Sequence, residues 1–340
     1  MTQRWGIIGT SAVAQQFGAA LAKMGGGRCR AVTSANSANA EAFARAHGFL
    51  QACPDLNVLL ADDQVDVVYI ASPTALHHDH ALAALAAGKS ILCEKPFTGS
   101  AVEAATVVAT ARKAGLFCME AMWLRFSVIV EELRGALADD RLGAISGATM
   151  SIGYPRNARP GRPGDVSAMR VFGCYGLSLA RFLFGPPRDM QAVVGRDAHG
   201  VDRNVAVTLD YGSFAMTIDA STAGDRANRF EVFGTQATAV IPAPVIDPVM
   251  LNILPAGHGG GQSLKQAVAT PIRMRLPSAR ARRGSGLYRQ IGEVEACIAA
   301  LQQESKIMPL DETLAVWRMM EHILVAPASS RWAEDRAITK

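Results

Sequence analysis

The sequence predicts two domains in series, a doubly wound parallel α/β domain followed by an α+β domain built on a mostly antiparallel sheet. Three observations carry this. Over the first 120 residues short apolar runs alternate with helical stretches, the rhythm of right-handed βαβ units. Beyond about residue 122, strand-like runs follow one another with little helix between them. The length of 340 residues suits two domains, each with its own core. The expected division is 1–122 and 123–340.

In the first domain, Trp5-Gly6-Ile7-Ile8-Gly9 is a short apolar run ending at glycine, and Val13, Phe17, Leu21 and Met24 then recur at helical spacing. Residues 29–34 read as a second strand, followed by an alanine-rich helix over 39–47. Residues 65–71 are rich in β-branched residues and apolar apart from Asp66, as a buried strand requires. A helix over 76–87 stops at Gly88, and residues 90–93 form a fourth strand. Ser100-Ala101-Val102-Glu103 has capping-box spacing and opens a helix ending near Gly115. Residues 116–119 supply a fifth strand.

In the second domain a helix near 126–138 precedes strand-like runs at 147–153, 190–195, 205–211, 214–220 and 230–233. Tyr211-Gly212-Ser213 reads as a hairpin turn. One helix, 175–184, interrupts the strands. Two helices close the chain, one striped by Leu287, Ile291, Val294, Ile298 and Leu301, the other by Leu314, Trp317, Met320 and Leu324 with Asp311 as its N-cap. Residues 155–164 and 255–286 read as loops.

Composition excludes several classes. With 49% apolar and 19% charged residues the chain is no disordered polyelectrolyte. No apolar stretch approaches the ~18–20 residues that span a bilayer. The net charge of +4 is too small to argue for nucleic acid. Six cysteines stand singly, which suits neither a disulfide framework nor a zinc site. No signal-peptide pattern opens the sequence. The reading is a soluble, cytoplasmic protein.

Gly9-Thr10-Ser11-Ala12-Val13-Ala14 lies where a strand gives way to a helix, the place of a dinucleotide fingerprint. Gly9 suits the tight turn, Ala14 permits close helix–strand packing, and the N–H groups at the helix start suit a pyrophosphate. Ser11 replaces the middle glycine of that fingerprint, with a hydroxyl available to donate. After the second strand comes Ser34-Ala35-Asn36, with neither the acid that meets a ribose 2′-hydroxyl nor the arginine that meets a 2′-phosphate. Small polar residues do not repel a phosphate, so the reading is NAD or NADP with a lean to NADP.

Four further segments stand in order: Ser72-Pro73-Thr74-Ala75-Leu76-His77-His78, Glu94-Lys95-Pro96, Met119-Glu120-Ala121-Met122-Trp123-Leu124-Arg125-Phe126, and Met308-Pro309-Leu310-Asp311-Glu312-Thr313-Leu314. Together they resemble the glucose–fructose oxidoreductase/inositol dehydrogenase (Gfo/Idh/MocA) family. Met119–Trp123 is most like its branch of dimeric dihydrodiol and xylose dehydrogenases. The resemblance implies a Rossmann domain and a C-terminal domain with a large open sheet, whose outer face forms a dimer or tetramer interface. It implies reversible hydride transfer between NAD(P) and a carbinol carbon of a sugar, cyclitol or diol. Lys95 inherits an active-site role, and its ammonium would stabilise a developing alkoxide. In Val171-Phe172-Gly173-Cys174-Tyr175, Gly173 and Tyr175 match the family's second catalytic element, with Tyr175 as general acid/base aided by a cation such as Lys95. Val171 stands where the family has aspartate, and Arg170 where it has an apolar residue. The cofactor residues implied are Gly9, Thr10, Ser11, Ala12, Val13, Ser34, Ala35, Ser72, Pro73, His77, Glu94 and Lys95. Trp123, Arg125, Phe126 and Arg170 are the implied substrate residues.

His77, His78 and His80 fall within one helical turn, and His77 and His80 share a face, but His78 points about 100° away from His77, so no metal is expected. Arg156, Arg159 and Arg162 suit an anionic substrate or a solvated loop, and Arg280, Arg282 and Arg283 a solvated loop. The departures at Ser11 and Val171 leave a rival reading, a cofactor-binding sensor or regulator on the same fold.

Overall fold

The computed structural model describes residues 2–157, 166–256, 272–275, 285–325 and 331–333. They divide into two compact units, Met1–Met122 with Leu287–Arg318, and Trp123–Gly286 with Met319–Lys340.

The first unit runs β1 (Trp5–Ile8), α1 (Ala12–Met24), β2 (Cys29–Thr33), α2 (Ser37–His47), β3 (Gln51–Cys53), α3 (Leu56–Ala61), β4 (Val67–Ile70), α4 (His77–Ala86), β5 (Ser90–Glu94), α5 (Ala101–Ala114) and β6 (Cys118–Ala121). All pairings are parallel, in the order β3-β2-β1-β4-β5-β6. The connections reverse direction between β1 and β4, so the carboxyl ends of these strands border the crevice where doubly wound sheets bind ligands. Local chemistry places the helices. The side chains of Ser11, Asn36, Asp55 and Ser100 each accept an N–H of the helix they precede. Glu103, three residues after the Ser100 cap, reaches back past it to accept the Gly99 N–H at 2.8 Å. The core is aromatic. Phe17 stacks on Tyr69 with ring centroids 3.7 Å apart, and Trp5 meets Phe17 edge-on at 5.2 Å. The sequence reading lacks β3 and α3. Both are very short, and β3 is a polar edge strand with only Cys53 buried, too little for a periodicity to register.

The second unit opens with a 3₁₀ turn, Trp123–Phe126, then α6 (Val128–Ala138) and β7 (Ile145–Gly153). A π-type turn (Met169–Gly173) leads directly into α7 (Cys174–Phe184). The strands β8 (Asp189–Arg196), β9 (Asp202–Asp210), β10 (Ala215–Ser221), β11 (Arg229–Gly234), β12 (Ala237–Ile241), β13 (Met250–Pro255), β14 (Ile272–Arg275) and β15 (Arg331–Ala333) complete it. Nine strands form one sheet in the order β14-β13-β12-β11-β7-β10-β9-β8-β15, antiparallel except for β7 with β10. The turn expected at 211–213 joins β9 to β10, with the Tyr211 N–H donating to the Phe214 carbonyl and Gly212 at φ +85°. Residues 255–286, read as a loop, carry β14 paired to β13. On β9, Val205, Val207 and Leu209 are buried while Asn204, Ala206, Thr208 and Asp210 are exposed, so one face is covered and the other open. α7 lies on the covered face, where a Cβ at Gly176 would come within 2.8 Å of Ile218.

Two further helices, α8 (Gly286–Ala299) and α9 (Leu310–Val325), precede β15. Leu287–Arg318 belongs to the first unit, not to a contiguous second domain. The reason is a buried carboxylate. Glu295 accepts the Arg28 Nε and Nη2 protons, each at 2.8 Å, and the Trp5 indole N–H at 3.2 Å. Arg112 on α5 likewise binds Glu304 and Asp311. Asp311, expected as the N-cap of the last helix, lies inside its first turn; the helix starts at Leu310, whose N–H donates to Glu304. No helix among the described residues is long and apolar enough to cross a membrane.

Candidate active site

The carboxyl edge of the first sheet is built around Gly9. Its φ is +102°, and a Cβ there would lie 2.6 Å from the Ala71 carbonyl oxygen, so only glycine lets the turn after β1 rest against the end of β4. Ser11 caps α1. Its Oγ accepts the Ala14 N–H at 3.4 Å and donates to the Ala71 carbonyl at 3.1 Å, so the proton expected to serve a phosphate is directed into the protein. The N–H groups of Ala12 and Val13 open the helix and have no carbonyl a turn earlier to bind, which leaves them to a ligand or solvent. With a turn no side chain fills and donors at a helix N-terminus, these residues fit a dinucleotide's pyrophosphate. Thr10 Oγ1 lies 3.2 Å from Ser34 Oγ, joining this turn to the end of β2. Ala35 is exposed beside it, and Asn36 caps α2.

Beyond β4, Ser72 and Pro73 lead to α4. His77, 1% exposed, has Nε2 2.9 Å from the Ser72 carbonyl oxygen and Nδ1 3.0 Å from that of Pro96. Burial pushes its pKa down, against the pull of those two carbonyls. His80 Nδ1 lies 2.9 Å from Ser72 Oγ, and His78 pairs with Asp79. His77 and His80 thus both bind Ser72, at its carbonyl and its hydroxyl, while His78 is turned to Asp79, and no group of three metal-ligating side chains occurs among the described residues.

Lys95 is the first residue beyond β5. Of Glu94, Lys95, Pro96, Phe97 and Thr98 it alone is not buried. Glu94 accepts the Tyr69 hydroxyl at 2.6 Å and the Lys95 N–H at 3.1 Å. Burial raises the Glu94 pKa, and the Tyr69 bond and the Lys95 charge draw it back. Glu120, on β6, accepts the Phe97 N–H at 3.1 Å. Burial also pushes the Cys93 and Cys118 thiols up, so neither is an available nucleophile.

In the second unit Tyr175 is the second residue of α7 and is buried. The π-type turn before it starts where buried Asp202 accepts the Met169 N–H at 2.8 Å, and a Cβ at Gly173 would meet the Met169 sulfur at 2.6 Å. Such turns concentrate at functional sites. Arg170 and Val171 lie within it, both half-buried. Trp123 is half-buried, and its carbonyl leaves no room for a Cβ at Gly286. Phe126 is buried. Arg125, 3% exposed, donates through Nε to the Ser178 hydroxyl and through Nη2 to the Ser178 carbonyl, both at 2.8 Å, and covers the Phe182 ring. Its guanidinium holds the 3₁₀ turn to α7 from inside the unit. Arg156 is held by its N–H on the Thr222 carbonyl, with its guanidinium 6.0 Å from the Tyr154 ring centroid. Arg159, Arg162, Arg280, Arg282 and Arg283 lie outside the described residues.

Comparison with known proteins agrees with this fold. Residues 3–122 match the family model described as "Oxidoreductase family, NAD-binding Rossmann fold", and residues 130–240 match the "GFO/IDH/MocA C-terminal domain". A trans-1,2-dihydrobenzene-1,2-diol dehydrogenase of Sus scrofa is 33% identical over 263 residues, 74% of this chain and 78% of that protein. The chain belongs to the Gfo/Idh/MocA family. The Homo sapiens trans-1,2-dihydrobenzene-1,2-diol dehydrogenase is 29% identical over 337 residues, 95% of this chain and 96% of its own. Among solved structures, the aldose-aldose oxidoreductase from Caulobacter crescentus superposes with a TM-score of 0.80 at 20% identity, over 95% of this chain and 96% of that one. KijD10, a 3-ketoreductase from Actinomadura kijaniata, reaches 0.79 at 20% identity, over 96% and 98%.

As a Gfo/Idh/MocA member the chain is an NAD(P)-dependent oxidoreductase. Its first unit brings Gly9, Ser11, Ser72, Pro73 and Lys95 to the carboxyl ends of adjacent strands β1, β4 and β5. Sequence reasoning gave no role to Tyr69, Glu120 or Asp202. Tyr69 and Glu120 are polar side chains among buried chain neighbours, and that contrast is the signal that marks them, whereas Asp202 lies between the half-buried Val201 and Arg203 and carries no such signal.

Proposed function

We propose that the chain catalyses reversible oxidation of a carbinol carbon in a sugar, cyclitol or diol, with Lys95 and Tyr175 handling charge and proton. The observation that carries this is the placement of Lys95, the one unburied residue of a buried turn at the carboxyl end of β5, on the sheet edge that holds the Gly9 turn. A bound nicotinamide supplies the two-electron acceptor or donor. The N–H groups of Ala12 and Val13 bind the pyrophosphate, and Thr10 and Ser34 border the ribose. In the oxidative direction the Tyr175 phenolate would take the proton of the substrate hydroxyl, and Lys95 Nζ would stabilise the negative charge left on the substrate oxygen as its carbon gives up a hydride; reduction reverses both roles. The relatives named for trans-1,2-dihydrobenzene-1,2-diol support a vicinal diol as substrate. The absence of an acid from Ser34-Ala35-Asn36 supports acceptance of NADP.

One observation favours a second reading. Val171 is apolar at the family's aspartate position, which suits a cofactor-binding regulator. A panel of aldoses, inositols and trans-1,2-dihydrobenzene-1,2-diol, followed at the reduced-nicotinamide absorbance, separates the two. Turnover supports the dehydrogenase. Tight NADPH binding with no turnover across the panel overturns it in favour of the regulator.

The same reading includes a homodimer or homotetramer joined through the open face of the nine-stranded sheet. That face presents small side chains in register, Thr208 opposite Thr217 and Ala206 opposite Asp219, which suit flat sheet-on-sheet contact. Sedimentation of wild type and Thr208→Arg tests it, a shift towards monomer being expected. The partner set holds a small-molecule substrate and no nucleic acid. Six free cysteines, five of them buried, suit the cytoplasm.

A further inference from the structure

We propose that Glu120 is a positioning residue for Lys95, acting through the Phe97 amide to hold the turn that carries the ammonium. The proposal rests on the assignment of Lys95 to the chemistry. Lys95-Pro96-Phe97 is fastened at its backbone by side chains. The Lys95 N–H donates to Glu94 at 3.1 Å, the Pro96 carbonyl lies 3.0 Å from His77 Nδ1, and the Phe97 carbonyl accepts the Cys93 thiol at 3.3 Å. A further contact, Phe97 N–H to Glu120 Oε1 at 3.1 Å, comes from the neighbouring strand β6. There Glu120 faces Cys93 across the ladder.

Phe97 is fully buried, so no solvent replaces Glu120 as acceptor for its N–H. Glu120 is itself 2% exposed, and its β6 neighbours Cys118, Met119 and Ala121 are apolar and buried. A carboxylate kept in such a strand needs a partner, and a charge-assisted bond to a backbone amide is among the stronger ones. Lys95 stands two residues from that amide and is itself unburied, so the fastening sets where its side chain starts.

The test compares Glu120→Met, which removes the acceptor at similar volume, with Glu120→Gln, which keeps a carbonyl oxygen at the same reach. Amide hydrogen exchange at Phe97 needs no substrate. It is expected to be slow in wild type and Glu120→Gln and fast in Glu120→Met. With the best substrate of the panel above, Glu120→Met is expected to lower kcat on the order of 10²-fold with little change in cofactor KM, the usual scale for a misplaced catalytic group. Glu120→Gln should restore most of it. In a Lys95→Met background, single-turnover rates should show no further loss from Glu120→Met, because both changes disable the same group. Should Glu120→Met fail to fold, Glu120→Asp, one methylene shorter, takes its place. Equal losses in both backgrounds, or a Phe97 amide still protected in Glu120→Met, overturn the proposal while leaving Lys95 in place. Full activity in Lys95→Met alone overturns the functional reading instead.

Discussion

Gly9 and Ala71 approach more closely than a Cβ would tolerate, 2.6 Å from the position a methyl group would take at Gly9 to the Ala71 carbonyl oxygen. The same carbonyl accepts the Ser11 hydroxyl, and the Ala71 N–H donates to Ile8 at 2.9 Å. One residue at the end of β4 therefore locates both the turn and the cap of the cofactor-binding helix. Gly9→Ala places a side chain at a positive φ and against backbone, and should cost about 2–4 kcal/mol of stability. NADPH affinity, read by fluorescence titration, should fall more than about tenfold, since the helix N-terminus can no longer present its N–H groups in place. Ser11→Ala loses the cap and the hydroxyl's bond to the Ala71 carbonyl, about 1–2 kcal/mol.

Arg125 separates a structural role from a substrate role. Its guanidinium is committed to Ser178, and Arg125→Met should cost about 1.5–3 kcal/mol in denaturant unfolding, the range for lost charge-assisted hydrogen bonds. Substrate KM should stay near wild type in the folded variant. A large rise in KM with stability unchanged would return Arg125 to the substrate.

The parallel domain was legible because its buried strands are short apolar runs, most plainly the β-branched β4, and because Gly88, Ser100 and Gly115 mark helix ends by local chemistry. β12 escaped because Ala237–Ile241 is short and alanine-containing, a composition shared with the helices, and β14 because Ile272–Arg275 alternates over only four residues. At the site, Lys95 and Tyr175 stood out through motif resemblance. Glu120 did not, since its partner amide lies 23 residues away and no periodicity reports that distance. The inward course of Arg125 is set by a 3₁₀ turn, and the return of the last helices by Arg28–Glu295, 267 residues apart; both are tertiary facts.

That return has a measurable consequence. Glu295→Leu leaves the Arg28 guanidinium and the Trp5 indole N–H without their shared acceptor. The pair is mostly but not wholly buried, at 14% and 11% side-chain exposure, so a loss of about 1–3 kcal/mol is expected, below the range for fully buried pairs. Raising salt should recover little of it, because burial limits screening.

Stability should also depend on His77. Its folded-state pKa is lowered by burial, so below about 6.5 the unfolded chain binds a proton that the folded chain refuses. Unfolding free energy should rise with pH through the window beneath that value and flatten above it. Denaturant midpoints across this range should show the slope in wild type and a shallower one in His77→Gln. An unchanged slope would mean that His77 takes up its proton as readily in the folded chain as in the unfolded one.

The central claim is that Lys95 serves the chemical step, and Lys95→Met tests it most directly. NADPH titration and turnover are measured on the same preparation. The account predicts cofactor affinity near wild type and turnover lower on the order of 10²–10³-fold, the scale for removing a donor aimed at developing charge. Undiminished turnover in that variant would contradict it.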